Sequence, residues 1–314
     1  MVFYIFKRLG LAAVIVLIAV SLLYGMIHAV PGDPLSIVLG PRATPEMRAE
    51  LNQRLGLDKP FVFQLLTFFM NVLRGDLGTD VFSERPVSEI FFGQLPFTVS
   101  LIFLAIGWSA VLGIPLGCYS AIRRNSLIDK LTGVFSVGTI TIPSFVVALY
   151  SLLIFAVELK WLPAIGAGNE GDIIDQAEHL ILPSLAVGLG WVGYLARLVR
   201  ASMLEVLGEN HIRTARAFGL PEKTIVLQYA LRLAILPTVA LLGVGIGHML
   251  SGAVFAEIVF ARPGVGKLIY DAVITRNYPV VMGSVIMTTI LFVASTTVAD
   301  LVSALLDPRI RENL

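Results

Sequence analysis

The sequence is short of charge and has almost no cysteine. Of 314 residues only 14% are charged, and Cys118 is the single cysteine. One cysteine closes no intrachain disulfide and supplies no cysteine-based zinc site. Lys and Arg number 23 against 22 Asp and Glu, a formal charge of +1, which provides no basic surface for nucleic acid. No internal repeat or low-complexity tract stands out. A phosphate cradle is also missing. Gly264-Val265-Gly266-Lys267-Leu268 superficially suggests a P-loop, but that motif needs glycine at 261 and Ser or Thr at 268, where Ala261 and Leu268 stand. Gly243, Gly245 and Gly247 suit close helix packing rather than dinucleotide binding.

What fills the sequence instead is apolar. Apolar residues make up 56% of the chain and the mean hydropathy is +0.85, above the ~45–50% apolar content of soluble domains. Uncharged runs cover 9–32, 90–122, 131–157, 179–196, 233–256 and 277–299, each of 18 residues or more. A bilayer core needs roughly 20 apolar residues in helix. The expectation is an all-α membrane protein with six transmembrane helices in one domain over 1–314. The spans are expected at about 9–29, 97–119, 132–157, 180–199, 234–255 and 279–305. Lys7-Arg8 precede an apolar run longer than the ~7–15 residues of a signal peptide's core, and no A-x-A-like site closes it. It reads as a retained first span.

Six spans put both termini on one side, together with loops 123–130 and 197–232. That side carries 13 basic and 6 acidic residues, a net +7, the opposite side nets −5, and Asp300 within the last span adds −1. Excess Lys and Arg marks the cytoplasmic face, so both termini are expected inside. Phe61 to Leu73 is apolar but too short to cross. Its Gln64, Thr67 and Asn71 recur at helical spacing, as in an amphipathic helix at the membrane surface or against the bundle.

In the external loop 31–95, Thr44-Pro45 and the stretch to Gly56 read as a capped helix. Pro115, Pro143 and Pro237 lie in or at the ends of spans, where kinks are tolerable. The segment 200–236 is the most informative. Asn210 can cap a short helix ending at Gly219, and Pro221 opens a second helix that continues to Leu236-Pro237. Ile212, Ala215 and Gly219 share one face, and Arg213 and Arg216 share another. From the residues alone, such a basic helical hairpin suits binding of anionic lipid, docking to a soluble partner, or DNA reading, which the short tether disfavours.

Several segments then carry a resemblance. IFKRLG opens the chain, Pro31-Gly32-Asp33-Pro34 follows the first span, and Arg74-Gly75-Asp76-Leu77-Gly78 comes later in the external loop. SMLEVLGENHIRTARAFGL, Glu257-Ile258-Val259-Phe260 with Pro263-Gly264-Val265-Gly266, Asn277-Tyr278-Pro279-Val280-Val281 and Leu306-Asp307-Pro308-Arg309-Ile310-Arg311 follow in order. Together they resemble the inner-membrane permease subunit of bacterial binding-protein-dependent ABC importers, in the dipeptide/oligopeptide branch. The resemblance runs from end to end. It implies the type I ABC importer permease fold and a chain in the bacterial inner membrane that forms half of a translocation pore for peptides or related small solutes.

The implied partners are a second homologous permease in a heterodimer, two ATP-binding subunits and an external solute-binding protein. ATP and Mg would be used by the ATPase subunits, with no cofactor bound by this chain. The resemblance also gives the segment 200–236 a role, docking a coupling helix into the ATPase. Arg213, Thr214, Ala215, Arg216, Ala217, Phe218, Gly219, Leu220 and Pro221 are its implied coupling residues. Arg213-Thr214-Ala215 stands where the wider superfamily has Glu-Ala-Ala, and the Gly219-to-Pro237 interval is longer than there. Two other classes compete. A secondary transporter would normally show inverted repeats and midplane charges, and neither is evident. An intramembrane enzyme could use His248 and Ser251, three apart on the fifth span, but needs an orienting group and an oxyanion site. Both residues, with Asp300 near the inner end of the last span, are expected to be structural or pore-lining polar groups.

Overall fold

A computed structural model describes residues 2–29, 44–46 and 60–306. Among them the secondary structure is helical, with one isolated bridge between Thr79 and Pro86. We number the helices α1 (Val2–Ala29), α2 (Phe61–Leu73), α3 (Val87–Ile122), α4 (Leu127–Thr141), α5 (Ser144–Ser151), α6 (Ile173–Leu207), α7 (Asn210–Ala217), α8 (Glu222–Thr224), α9 (Leu231–Ala234), α10 (Leu236–Val259), α11 (Val265–Ile274) and α12 (Tyr278–Leu306). Leu152–Glu158 and Ile225–Ala230 are π-helical continuations of α5 and α8. Helix is what an uncharged run must form in lipid, where no water satisfies the backbone.

Among the described residues, α3, α6, α10 and α12 are long and apolar enough to cross a bilayer. The expected span 132–157 is not one straight helix. It is bent by 97° between α4 and α5, at Ile142-Pro143, where proline cannot donate to the helical ladder. Counted as one span, this pair makes five. α1 is helical over 28 residues, but its described apolar stretch, Gly10–Leu23, is shorter than a full span. The helix expected from Thr44-Pro45 to Gly56 falls outside the described residues beyond Glu46.

The chain divides into two compact units, 1–96 with 264–293, and 97–263 with 294–314. In the first, Val20, Leu77, Val87, Val280, Met282 and Ile286 form a buried cluster. Leu65, Phe68, Phe69 and Val72 of α2 pack against it, while Phe63, Leu66, Met70 and Leu73 are exposed. Helix α2 therefore presents apolar residues both to the core and outward. The Asp80 carboxylate accepts from Asn277 Nδ2 and from the backbone of Phe82, tying the turn after Gly78 to the start of α12. A side chain at Gly283 would put its Cβ 2.7 Å from Val87 Cγ1.

In the second unit α6 is the central helix and packs against α4, α5, α9 and α10. Glycines permit the closest approaches. A Cβ at Gly117 would lie 2.4 Å from the Ala196 carbonyl oxygen, and one at Gly193 would lie 2.2 Å from Thr139 Oγ1. Gly243 and Gly245 are pressed against Ala299 and Trp191 in the same way, the packing role expected of them. Ser109 Oγ donates to the Gly188 carbonyl at 2.8 Å, and Trp108 Nε1 donates to that of Ser184 at 3.1 Å. Glu257 is fully buried and accepts from Thr98 Oγ1 at 2.6 Å.

Candidate functional site

The segment after α6 folds as a tight hairpin. Helix α7 starts one residue earlier than expected. Glu209 occupies the N-cap with φ −72° and ψ 156°, no side chain caps the helix, and Asn210 lies inside it. Ile212 and Ala215 are buried against Val199 and Met203 of α6, Cys118 and Ala121 of α3, and Ile225, Val226 and Ala230. Apolar residues three apart share one helix face, so burying that face turns Arg213, Thr214, Arg216 and Ala217 outward, where all are exposed.

The hairpin turn is set by Gly219. Its φ is +75°, a conformation glycine adopts without a Cβ penalty. A Cβ there would meet nothing within 4 Å, so backbone geometry rather than space selects glycine. Pro221 is the N-cap of α8 rather than a residue of its first turn, and Leu220 is half-buried beside the core. Phe218, 82% exposed, projects beside the turn.

Arg216 has a partner in its own chain. Its Nη2 donates to Glu222 Oε1 at 2.6 Å and its Nε to Oε2 at 3.2 Å, across Gly219. The guanidinium holds the Glu222 carboxyl below the usual carboxylate range, and the carboxylate raises Arg216 further. Both side chains are about half exposed, so the clasp contributes no more than about 1 kcal/mol. It orders the turn without burying its charges.

A second feature was not legible in the sequence. Asp129, 5% exposed at the start of α4, accepts from Arg200 Nε at 2.5 Å and Arg200 Nη2 at 2.8 Å. It also accepts from Ser120 Oγ at 2.5 Å and the Asn125 amide at 2.9 Å. One carboxylate thus ties α3, α4 and α6 together. Ser120 is two residues from Cys118 and next to Ala121, and Arg200 follows Val199, so the tie adjoins the core on which α7 rests. The carboxylate's partner Arg200 lies 71 residues away in sequence.

The other predicted polar residues separate. His248 lines a cavity of about 430 Å³ between α4, α5, α6 and α10. Ser251 is exposed and lies outside that lining. Asp300 is half-buried on α12 and has an interaction partner. No group of three or more His, Cys, Asp or Glu that could hold a metal occurs among the described residues.

The family model for the binding-protein-dependent transport system inner membrane component matches residues 113–312, the part that contains the hairpin, the carboxylate tie and the cavity. The chain belongs to this family. A companion model for the N-terminal part of such membrane components matches residues 1–102. Glutathione transport system permease proteins of Salmonella typhimurium and Escherichia coli K12 are 37% and 35% identical over 309 residues, 98% of this chain and 98% of each relative. In fold the chain is similar to an inward-facing structure of the MetNI methionine ABC transporter. The TM-score is 0.55 at 18% identity, over 67% of this chain and 93% of that one. A second crystal form gives 0.57 at 17%, over 70% and 97%. The fold is that of type I ABC importer permeases. The protein is a multi-pass inner-membrane transport component of the peptide branch, and the ATPase resides on a separate subunit.

Proposed function

We propose that this chain forms half of a heterodimeric translocation pore, with six spans, cytoplasmic termini and one face of the hairpin 210–221 seated on an ATPase subunit. The observation that carries the coupling assignment is the hairpin's division of faces. Ile212 and Ala215 are buried against α3 and α6, while Arg213, Thr214, Ala217 and exposed Phe218 are left outward for a partner. A helix seated on the ends of two long helices passes a push directly into them. Membership in a binding-protein-dependent family supports an external solute-binding protein, and the excess of basic residues beside the hairpin supports its cytoplasmic side. The solute is a peptide or a related small molecule, in keeping with relatives named for glutathione transport.

In operation, the ATPase subunits bind ATP with Mg and close, the hairpins move with them, and α3 and α6 follow because Ile212 and Ala215 are packed into them. The Asp129 tie obliges α4 to move with α3 and α6. The pore then opens to the other side. Reconstituted vesicles containing this chain, its partner permease, both ATPase subunits and the binding protein test the reading. Uptake should require enclosed ATP and should be lost when this chain is omitted. Uptake driven by an ion gradient without ATP would favour a secondary transporter.

A further inference from the structure

The cavity beside His248 has the properties of a ligand site. It is lined midway along α6, by residues from Ala186 to Tyr194, and midway along α10, by residues from Leu241 to Gly252. Its remaining wall is the break between α4 and α5, where Thr139, Ile142 and Ser144 face it. Irregular backbone is tolerated at mid-span depth where it is buried or lines a cavity, and transporter ligand sites collect at such discontinuities. The volume, about 430 Å³, lies within the range of about 300–1,000 Å³ that holds small molecules.

The lining also defines the ligand chemistry. Trp191 and Tyr194 stand edge to face with centroids 5.8 Å apart, and both line the cavity with Val147, Val187, Val244 and Met249. Thr139, Ser144, Tyr194 and His248 supply its polar side-chain atoms. No Asp, Glu, Lys or Arg lines the cavity, so the lining offers an ionised ligand group no carboxylate, ammonium or guanidinium partner. Aromatic faces with a few hydrogen-bonding groups suit an apolar or aromatic side chain with its flanking amides.

We propose that this cavity receives an apolar or aromatic side chain of a short peptide in transit, with the charged ends of the peptide held outside it. The inference rests on the reading of the chain as a peptide-branch permease and adds a specificity site to it. Gly252 offers a way to test it. A Cβ there would lie 3.9 Å from Ser144 Oγ and Val187 Cγ1, ordinary contact distances, so Gly252→Leu places its bulk in the cavity without a backbone clash.

Two arms separate the site from the wider function. In the first, the complete importer carries Trp108→Phe and Trp161→Phe, so that Trp191 is this chain's remaining tryptophan, and its partner subunits are made tryptophan-free. It is titrated with N-acetylphenylalanine amide. Saturable quenching or a spectral shift is expected, at least tenfold weaker with Gly252→Leu and absent for N-acetylglycine amide at equal concentration. No saturable change, or equal responses with and without Gly252→Leu, would overturn the site. In the second arm, Gly252→Leu should lower ATP-dependent uptake of Ala-Phe-Ala at least tenfold more than that of triglycine. Equal loss of both, or no loss of either, would overturn the specificity role. Saturable binding in the first arm, in vesicles that take up no peptide with ATP, would uphold the site and reject the importer reading instead.

Discussion

Replacing Arg200 by methionine removes the charge partner of Asp129 while keeping most of the side chain's length. Asp129 is 5% exposed. Of its four contacts, the two from Arg200 carry the opposite charge. In Arg200→Met the carboxylate stays buried with only the Ser120 hydroxyl and the Asn125 amide. Removing one partner of a buried pair costs about 3–5 kcal/mol. Arg200 itself is 32% exposed, so water can reach the vacated edge, and the expected loss lies at the lower end, about 3 kcal/mol. The double variant Asp129→Asn/Arg200→Met leaves no buried charge and should recover about 2 kcal/mol of that, within the range of coupling for residues in contact. Equilibrium unfolding in mixed micelles, run as a double-mutant cycle, measures both quantities. A loss below about 0.5 kcal/mol for Arg200→Met, or additive effects in the cycle, would refute the reasoning.

Other outcomes are expected. In a Cys118→Ala background, an impermeant thiol reagent applied from outside should label a cysteine at Glu46 and not one at Glu222; strong external labelling at 222 would invert the topology. The Arg216–Glu222 clasp should stabilise the hairpin above the ordinary glutamate pKa of about 4.3, because the folded carboxyl titrates lower. Its contribution, up to about 1 kcal/mol, should fade as pH falls through that depressed value. The stability gap between the unsubstituted protein and Arg216→Ala should therefore close on acidification, and a gap that widens would contradict the clasp. Gly193→Val should destabilise the second unit by at least about 2 kcal/mol through overpacking, since its Cβ would strike Thr139 Oγ1 and the Ser136 carbonyl. Normal thermal stability of that variant would be the contrary result.

How much of this was legible beforehand depends on the range of each interaction. Uncharged runs mark helices because spanning in lipid is a local property of composition, and among the described residues α3, α6, α10 and α12 are long and apolar enough to cross. The positive φ of Gly219 was legible because a glycine followed two residues later by a proline leaves the turn few alternatives. The 97° bend was not. Proline permits a kink, but its angle is set by packing of α4 and α5 against α6. The Asp129–Arg200 tie joins residues 71 apart in sequence, so no local pattern announces it. Arg216 was legible as outward-facing, but its bond to Glu222 depends on the turn closing between them. The cavity was approached only through His248, because its walls come from four helices.

Transfer of force through the hairpin is tested most directly by Gly219→Val beside Gly219→Asn, with ATPase co-purification and ATP-dependent uptake measured on the same preparations. Valine is branched at Cβ and strained at φ +75°, at about 1–2 kcal/mol, whereas asparagine tolerates that region. Neither meets an obstacle in the chain itself. The valine variant should insert and express normally yet retain little ATPase and little uptake, and the asparagine variant should keep most of both. Undiminished assembly and uptake with Gly219→Val would contradict the coupling role of the hairpin.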